Sequence, residues 1–399
     1  MKNILLIIPY GSVGGMERLA VTFYEGYKKK GYSVKVIKII GLENDIVNFG
    51  DDEYILSIKD FSEYSALHRV LFYLKIPFLI RNYIKKYKID YSIAFGDMAN
   101  SFSALTYTTE KKVASLHAVK SIEFKNISGV ANFFKWSIEK TYKNFHRVVA
   151  ISNAIKTDLI EDLHYSFKNI ETIYNPHDQE LVRVNSKEPL TAVEESIFQG
   201  RVILFLGRLS LQKSPWLLIK SFDLIKEKNP DTRLVLVGDG DKEVENYLKK
   251  LINDLGLKDA VFFLGRKSNP YKYLAKATCL ALSSLYEGTP NVIVEAMILN
   301  IPVITSDCTD GIAEMMIDQK NSTEKDWIYT DAGLIVKTEF KDSDFQIPED
   351  FKMNENDIKF AKGLDFIMDK SNNKTIRDQN KKELLKKYDL KEVLNLYIK

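Results

Sequence analysis

Two carboxylates, Glu287 and Glu295, bracket the segment Glu287-Gly288-Thr289-Pro290-Asn291-Val292-Ile293-Val294-Glu295. Thr289 reads as an N-cap and Pro290 as a first helical residue, because a missing N–H there costs no intrahelical bond. A helix is therefore predicted to start between the two acids. Its first free N–H groups, from Asn291 and Val292, point the way Glu287 points, so a carboxylate and a phosphate-attracting helix terminus share a small volume. That suits a phosphorylated sugar. Taken alone, the segment also fits a loop acid followed by an amphipathic helix with one solvated Glu.

Further groups could serve the same chemistry. After the apolar run ending Phe205-Leu206, the loop Gly207-Arg208-Leu209-Ser210-Leu211-Gln212-Lys213 holds two cations. An Arg fork and a Lys point charge at a strand end would neutralise a departing pyrophosphate. Two solvated loop cations would look the same. Near the N-terminus, Gly14-Gly15-Met16-Glu17-Arg18 opens a helix after the first strand. Paired glycines allow close backbone approach to a ligand, but they also make plain tight turns, and the spacing matches neither a dinucleotide fingerprint nor a P-loop. His117 ends the strand Val113-Ala114-Ser115-Leu116. His68, His146, His164 and His177 have no carboxylate or nucleophile at useful spacing and read as structural.

The form EGTPNVIVEA resembles the nucleotide-sugar signature of the retaining family 4 glycosyltransferases, and further matching segments follow in the right order. The resemblance covers most of the chain and is strongest from about residue 200 to 316. It implies a GT-B fold, two Rossmann-like parallel-sheet α/β domains facing across a cleft. It implies that Arg208 and Lys213 bind the donor diphosphate, that Glu295 accepts the ribose hydroxyls, and that Glu287 holds the sugar. Gly288, Thr289, Asn291 and Val292 fall on the same donor segment. Gly15, with Gly14, resembles the donor-side glycine loop and would meet the phosphate or the transferred sugar, with Glu17 structural. His117 would contact the donor sugar near the reacting carbon. Gly265-Arg266 with Asn269-Pro270-Tyr271 resembles the loop under the nucleotide base, which makes Arg266 a binding residue; a simple turn is the alternative. Where relatives often carry Gly-Pro-x-Glu, this chain has Gly311-Ile312-Ala313-Glu314, which weakens a donor role for that loop.

These residues need elements to position them. Short β-branched runs alternate with longer helical patterns, the mark of parallel sheets with crossover helices. Strands are predicted at 3–9, 33–40, 91–95, 112–116, 147–150 and 171–174, with helices near 15–30, 64–88, 129–144 and 152–162. A polar stretch at about 178–200 separates them from a second series. That series has strands at 202–206, 233–237, 260–263, 279–282, 302–304 and 333–335, with helices near 215–228, 243–255, 270–277, 291–299 and 311–318. The implied domains are 1–185 for the acceptor, 200–375 for the nucleotide-sugar, and a segment 376–399 crossing back to the first domain. In tandem α/β domains, ligands sit at the carboxyl ends of the strands.

Composition narrows the function. A 399-residue chain that is 45% hydrophobic can bury two cores, and a net charge of +3 with no nucleic-acid motif argues against a nucleic-acid partner. Cys279 and Cys308 lie in apolar runs and read as buried small hydrophobes in a reducing compartment. The opening apolar run is cut short by Pro9, so neither a signal peptide nor a membrane span is expected, and the protein reads as cytoplasmic or peripheral. Asp239-Gly240-Asp241 has the form of a metal motif, but it follows a strand of an α/β domain and reads as a capping turn, so no metal is expected. The run from Leu67 to Lys88 mixes apolar and aromatic residues with His68, Arg69, Lys75, Arg81, Lys85, Lys86 and Lys88. A second basic-aromatic run covers Lys120 to Arg147. Such segments can lie on an anionic membrane, each cation contributing roughly 1 kcal/mol, or can be surface helices with a core-facing stripe; Pro77 would kink the first.

The expected activity is transfer of a hexose or N-acetylhexosamine from a nucleotide-diphosphate sugar, UDP by family frequency, to a glycan or lipid-linked acceptor, with no other cofactor. The alternatives are a GT-B-fold epimerase or phosphorylase, or a non-catalytic nucleotide-sugar-binding scaffold. A phosphorylase would need a pyridoxal-binding Lys, for which no distinct motif is visible, and an epimerase would act without an acceptor.

Overall fold

The computed structural model describes residues 2–11, 15–43, 45, 47–60, 63–124, 130–318, 322–341 and 344–399. It divides into two compact units, Met1–His177 with Lys387–Lys399, and Asp178–Lys386.

The first unit carries β1 (Asn3–Ile8), β2 (Ser33–Ile40), β3 (Glu53–Ser57), β4 (Tyr91–Phe95), β5 (Lys111–Leu116), β6 (Arg147–Ala150) and β7 (Ile170–Thr172). They form a parallel sheet in the order β3-β2-β1-β4-β5-β6-β7. β1 shows why the strands read as unbroken apolar runs: both faces of a parallel sheet are covered. Ile4, Leu6 and Ile8 pack with Phe23, Tyr27 and Tyr397, while Leu5 and Ile7 pack with Ile76, Ile80 and Phe102. Truncating any of these isoleucines or leucines to Ala should cost about 2–5 kcal/mol. β3 and the helix Gly96–Ala104 went unread in the sequence. β3 is an edge strand with exposed Tyr54 and Ile55, so it lacks a buried run. The helix Ala66–Lys86 passes through Pro77 as one element.

The second unit carries β8 (Arg201–Leu206), β9 (Thr232–Val237), β10 (Val261–Gly265), β11 (Cys279–Leu282), β12 (Val303–Ser306), β13 (Ser322–Thr323), β14 (Trp327–Thr330) and β15 (Gly333–Val336). Their order is β10-β9-β8-β11-β12-β15-β14-β13, with every pairing parallel except β15-β14 and β14-β13. An unanticipated helix, Glu355–Met368, packs on Pro215–Lys226, burying Phe360, Leu364 and Ile367. At its start Asp357 pairs with Lys220 at 2.6 Å, both side chains buried.

The unit boundaries differ from those expected. Residues 178–185 belong to the second unit, where Gln179–Asn185 forms a helix and Asn269 Nδ2 donates to the Asn185 carbonyl at 2.9 Å. The return begins at Lys387 rather than 376, because Lys370–Asp378 stays with the second unit: the Arg377 guanidinium donates to the Ala277 carbonyl at 2.9 Å. From Leu390 to Tyr397 a last helix completes the first core, with Tyr397 OH and Ser115 Oγ 3.0 Å apart.

Candidate active site

The second-unit site is built from three loops at the carboxyl ends of β8, β9 and β11. Leaving β8, the Arg208 loop lies against the turn that follows β9. Leu209 N–H donates to the Asp239 carbonyl and Asp241 N–H to the Leu209 carbonyl, each at 2.9 Å. Glycine is obligatory in that turn, because a Cβ on Gly240 would stand 2.0 Å from the Leu209 carbonyl oxygen and one on Gly238, at φ 141°, 1.9 Å from that of Gly207. Asp239-Gly240-Asp241 therefore clamps the Arg208 loop. Asp241 occupies the N-cap position of Lys242–Asp254, but its side chain makes no capping bond, contrary to the expected role. Asp239 accepts from Arg266 Nη2 at 2.9 Å and Nε at 3.1 Å. Arg208 is exposed and, among the described residues, has neither a hydrogen-bond nor an ion-pair partner, so its guanidinium is available to a ligand.

Lys213 is held differently. Ser283 Oγ donates to the Lys213 carbonyl at 3.1 Å and to the Ser214 carbonyl at 2.9 Å. Ser214 is buried with φ 41°, a left-handed conformation that this anchoring maintains. The Lys213 ammonium contacts Glu287 Oε1, and Ser284 Oγ donates to the same oxygen at 2.6 Å. Glu287 is only 7% exposed, so the carboxylate is oriented by a cation and a hydroxyl in a low-dielectric site. An ammonium has three N–H donors; one turned to Glu287 leaves two for a diphosphate.

The helix after Glu287 runs Asn291–Ile298, with Pro290 at its N-cap and no side-chain capping bond. Thr289 is thus not the cap. Among the described residues its buried Oγ1 has no hydrogen-bond partner, an orphaned group of the kind a ligand hydroxyl or phosphate oxygen satisfies. Val292 lies in the first turn, where N–H groups have no preceding helical carbonyl. One turn on, half-buried Glu295 accepts from Tyr271 OH at 3.5 Å. Gly311 abuts the same segment, since a Cβ there would stand 2.6 Å from the Gly288 carbonyl oxygen.

Two sequence models account for both units. "Glycosyltransferase Family 4" matches residues 13–181 and "Glycosyl transferases group 1" matches residues 189–341. The chain belongs to the family 4 glycosyltransferases. This glycosyltransferase is 32% identical to an uncharacterised glycosyltransferase of Methanocaldococcus jannaschii over 63% of this chain and 64% of that protein, and so spans just under two thirds of that relative. It is 28% identical, over 86% of this chain and 87% of the relative, to N-acetylgalactosamine-N,N'-diacetylbacillosaminyl-diphospho-undecaprenol 4-alpha-N-acetylgalactosaminyltransferase of Campylobacter jejuni. The crystal structure of Anabaena HepE in complex with UDP and glucose superposes with a TM-score of 0.72 at 19% identity, covering 99% of this chain and 98% of that one. The fold is GT-B.

In the first unit of the glycosyltransferase, His117 follows β5 and Asp97 follows β4, and the pairing of Phe95 with Ser115 brings both to the same sheet edge. Burial, reinforced by Lys120, pushes the His117 pKa down to about 3, so the imidazole is neutral at pH 7. Among the described residues its buried Nε2 has no partner, nor has Asp97 Oδ1. Buried Lys120 pairs with Asp97 Oδ2 at 2.9 Å and with Glu123 at 2.6 Å. Gly15 is the first residue of the helix Gly15–Lys29, and Gly14 lies outside the described residues. Gly96, at φ 80°, has Met16 Sδ 2.8 Å from where its Cβ would be, so the start of that helix sits at the β4 end as well.

Ser283, Ser284 and Asp97 carry no signal in the sequence, and the runs that hold Tyr271 and Lys120 do not show that Tyr271 reaches Glu295 or that Lys120 pairs with Asp97, because these contacts depend on how separate loops converge. Cys308 was read as a core residue, but it is half-buried. Burial raises its thiol pKa, and the Glu287 carboxylate raises it further, so the thiol is protonated beside the site. Cys279 is buried as expected, its thiol pushed up to about 12 by desolvation.

Proposed function

We propose that this glycosyltransferase moves a hexose or N-acetylhexosamine, with retention, from a UDP-sugar to a lipid-linked glycan in bacterial surface polysaccharide, lipopolysaccharide or related glycan synthesis. The observation that carries the donor half is the Lys213–Glu287 contact, made from the loop that also carries exposed Arg208 and just before the helix start at Asn291. Arg208, Lys213 and the first-turn N–H groups would take the charge of the departing diphosphate, which is the dominant electrostatic demand of the step. Glu287 would hold the sugar hydroxyls, Glu295 the ribose, Arg266 the base side, and neutral His117 the sugar near the reacting carbon. The acceptor hydroxyl attacks the anomeric carbon from the face the diphosphate leaves, so configuration is kept; its proton passes to the departing diphosphate oxygen. With two protein cations on the diphosphate, and Asp239 engaged by Arg266, the reading needs neither a metal nor any cofactor besides the donor.

UDP is supported by the HepE complex with UDP and glucose. The lipid-linked acceptor is supported by the name of the Campylobacter relative, which specifies a diphospho-undecaprenol carrier. With it comes a peripheral location at the inner face of an anionic membrane. The deciding experiment is a binding and hydrolysis screen of UDP-, GDP- and ADP-sugars, followed by transfer to an undecaprenyl-diphosphate-linked glycan with the anomeric configuration read by NMR. A UDP-sugar should win and the product linkage should be α from an α-linked donor. Preference for GDP- or ADP-sugars removes the UDP assignment, and an inverted product removes the mechanism.

A further inference from the structure

The helix Ala66–Lys86 is apolar on two sides, which a surface helix has no reason to be. Its inner side, with Ile76, Ile80, Tyr83 and Ile84, closes the first-unit core. Its outer side carries Leu67, Val70, Leu71, Leu74 and Phe78 on successive turns, between 46% and 69% exposed. A contiguous ridge of this kind marks an interaction surface. Farther along, the exposed residues become Asn82, Lys85 and Lys86, with exposed Lys75 inside the ridge. The whole helix holds His68, Arg69, Lys75, Arg81, Lys85 and Lys86 and contains no Asp or Glu.

That charge pattern selects the occupant. A second copy across a twofold axis would bring cations against cations, which is costly in an interface. An anionic bilayer satisfies both parts, accepting apolar side chains at the acyl boundary and ammonium groups among the phosphates. No helix among the described residues is long and apolar enough to cross a membrane, so the contact would be one of lying on the surface.

We infer that the outer face of the helix Ala66–Lys86 docks on an anionic lipid bilayer, its Leu67–Phe78 ridge entering the acyl boundary and Lys75, Lys85 and Lys86 contacting headgroups. This rests on the lipid-linked acceptor reading above and narrows the run Leu67–Lys88 to its exposed residues. Arg81 is half-buried, and Lys88 lies beyond the helix end with φ 47°.

The test uses the full chain with phosphatidylglycerol/phosphatidylcholine vesicles in a sedimentation assay. The triple variant Leu71→Gln, Leu74→Gln, Phe78→Gln should lower partitioning about 100-fold at both low and high salt. Lys75→Gln, Lys85→Gln, Lys86→Gln should lower it about 100-fold at low salt and little at high salt, where charges are screened. Both variants should melt with the wild type and bind UDP equally, because the altered side chains are exposed. Wild-type protein that ignores the vesicles, or an apolar variant that binds them undiminished, overturns the inference. So does a wild-type dimer in light scattering that the apolar variant disperses, which would assign the ridge to a second copy. Vesicle binding by a wild type that glycosylates no lipid-linked glycan sinks the acceptor reading alone and leaves the docking surface standing.

Discussion

Lys213 and Glu287, 74 residues apart in the chain, meet through the ammonium and Oε1, with Ser284 donating to the same oxygen. The two loops are tied a second time by Leu285 N–H donating to the Gln212 carbonyl at 2.8 Å. The cation proposed for the diphosphate and the carboxylate proposed for the sugar are therefore positioned as one unit. Arg208, on the same strand exit, stands outside that unit.

The two cations should separate on mutation. Both Arg208→Ala and Lys213→Ala should lower kcat/KM about 100-fold, roughly 3 kcal/mol of transition-state binding. Only Lys213→Ala should also lose stability, about 3 kcal/mol, because it leaves buried Glu287 without its cation. Thermal melts beside single-turnover rates read the difference; an Arg208→Ala variant that unfolds early would give Arg208 a structural role.

For the ribose assignment, Glu295→Ala should weaken UDP binding with kcat little changed. Tyr271→Phe, removing the hydroxyl that reaches Glu295, should weaken it about 2- to 10-fold, the contribution of one hydrogen bond. Calorimetry with UDP decides, and unchanged affinity in Glu295→Ala ends the assignment.

His117 makes a signed pH prediction. Its folded pKa of about 3 lies below the unfolded value of roughly 6.5, so the unfolded chain binds the extra proton. The contribution to stability is complete above pH 6.5 and drains away as the pH falls toward 3, at up to about 1.4 kcal/mol per pH unit. Urea melts of His117→Gln should show a shallower acid limb than wild type between pH 6.5 and 4. Parallel limbs would mean that His117 titrates normally.

Gly240→Ala places a Cβ 2.0 Å from a backbone oxygen that cannot move without displacing Arg208. Loss of several kcal/mol of stability together with UDP affinity is expected. A well-folded variant with full affinity would show the Arg208 loop to be independent of its clamp.

Metal independence is tested by excess EDTA. Activity should persist, and Asp241→Ala should keep at least half of it. A strict Mn²⁺ or Mg²⁺ requirement abolished by Asp241→Ala would make Asp239-Gly240-Asp241 a metal site after all.

Much of this glycosyltransferase was legible in its residue order, because the determinants are local. Apolar runs such as Ile4–Ile8 and Val202–Leu206 must be covered on both faces, which specifies parallel strands wherever they finally pair. The acid–turn–helix segment at 287–295 and the cations at 208 and 213 were visible by type and spacing. Elements without a local pattern escape it: edge strand β3 has exposed side chains, and the Glu355–Met368 helix, although opened by the capping box of Asn354 and Asp357, follows residues 345–354, which carry neither helix nor strand.

Tertiary structure decided what depends on partners distant in the chain. Thr289 lost the cap to Pro290 and became a buried orphan hydroxyl, Asp239 became the acceptor for Arg266, and Lys213 turned to Glu287. None of these follows from periodicity, because a side chain's partner is set by where loops from different strands converge. The same holds for the ridge on Ala66–Lys86. An apolar stripe in a sequence says that something must cover it; only the packed sheet reveals that one side is already covered and the other is not.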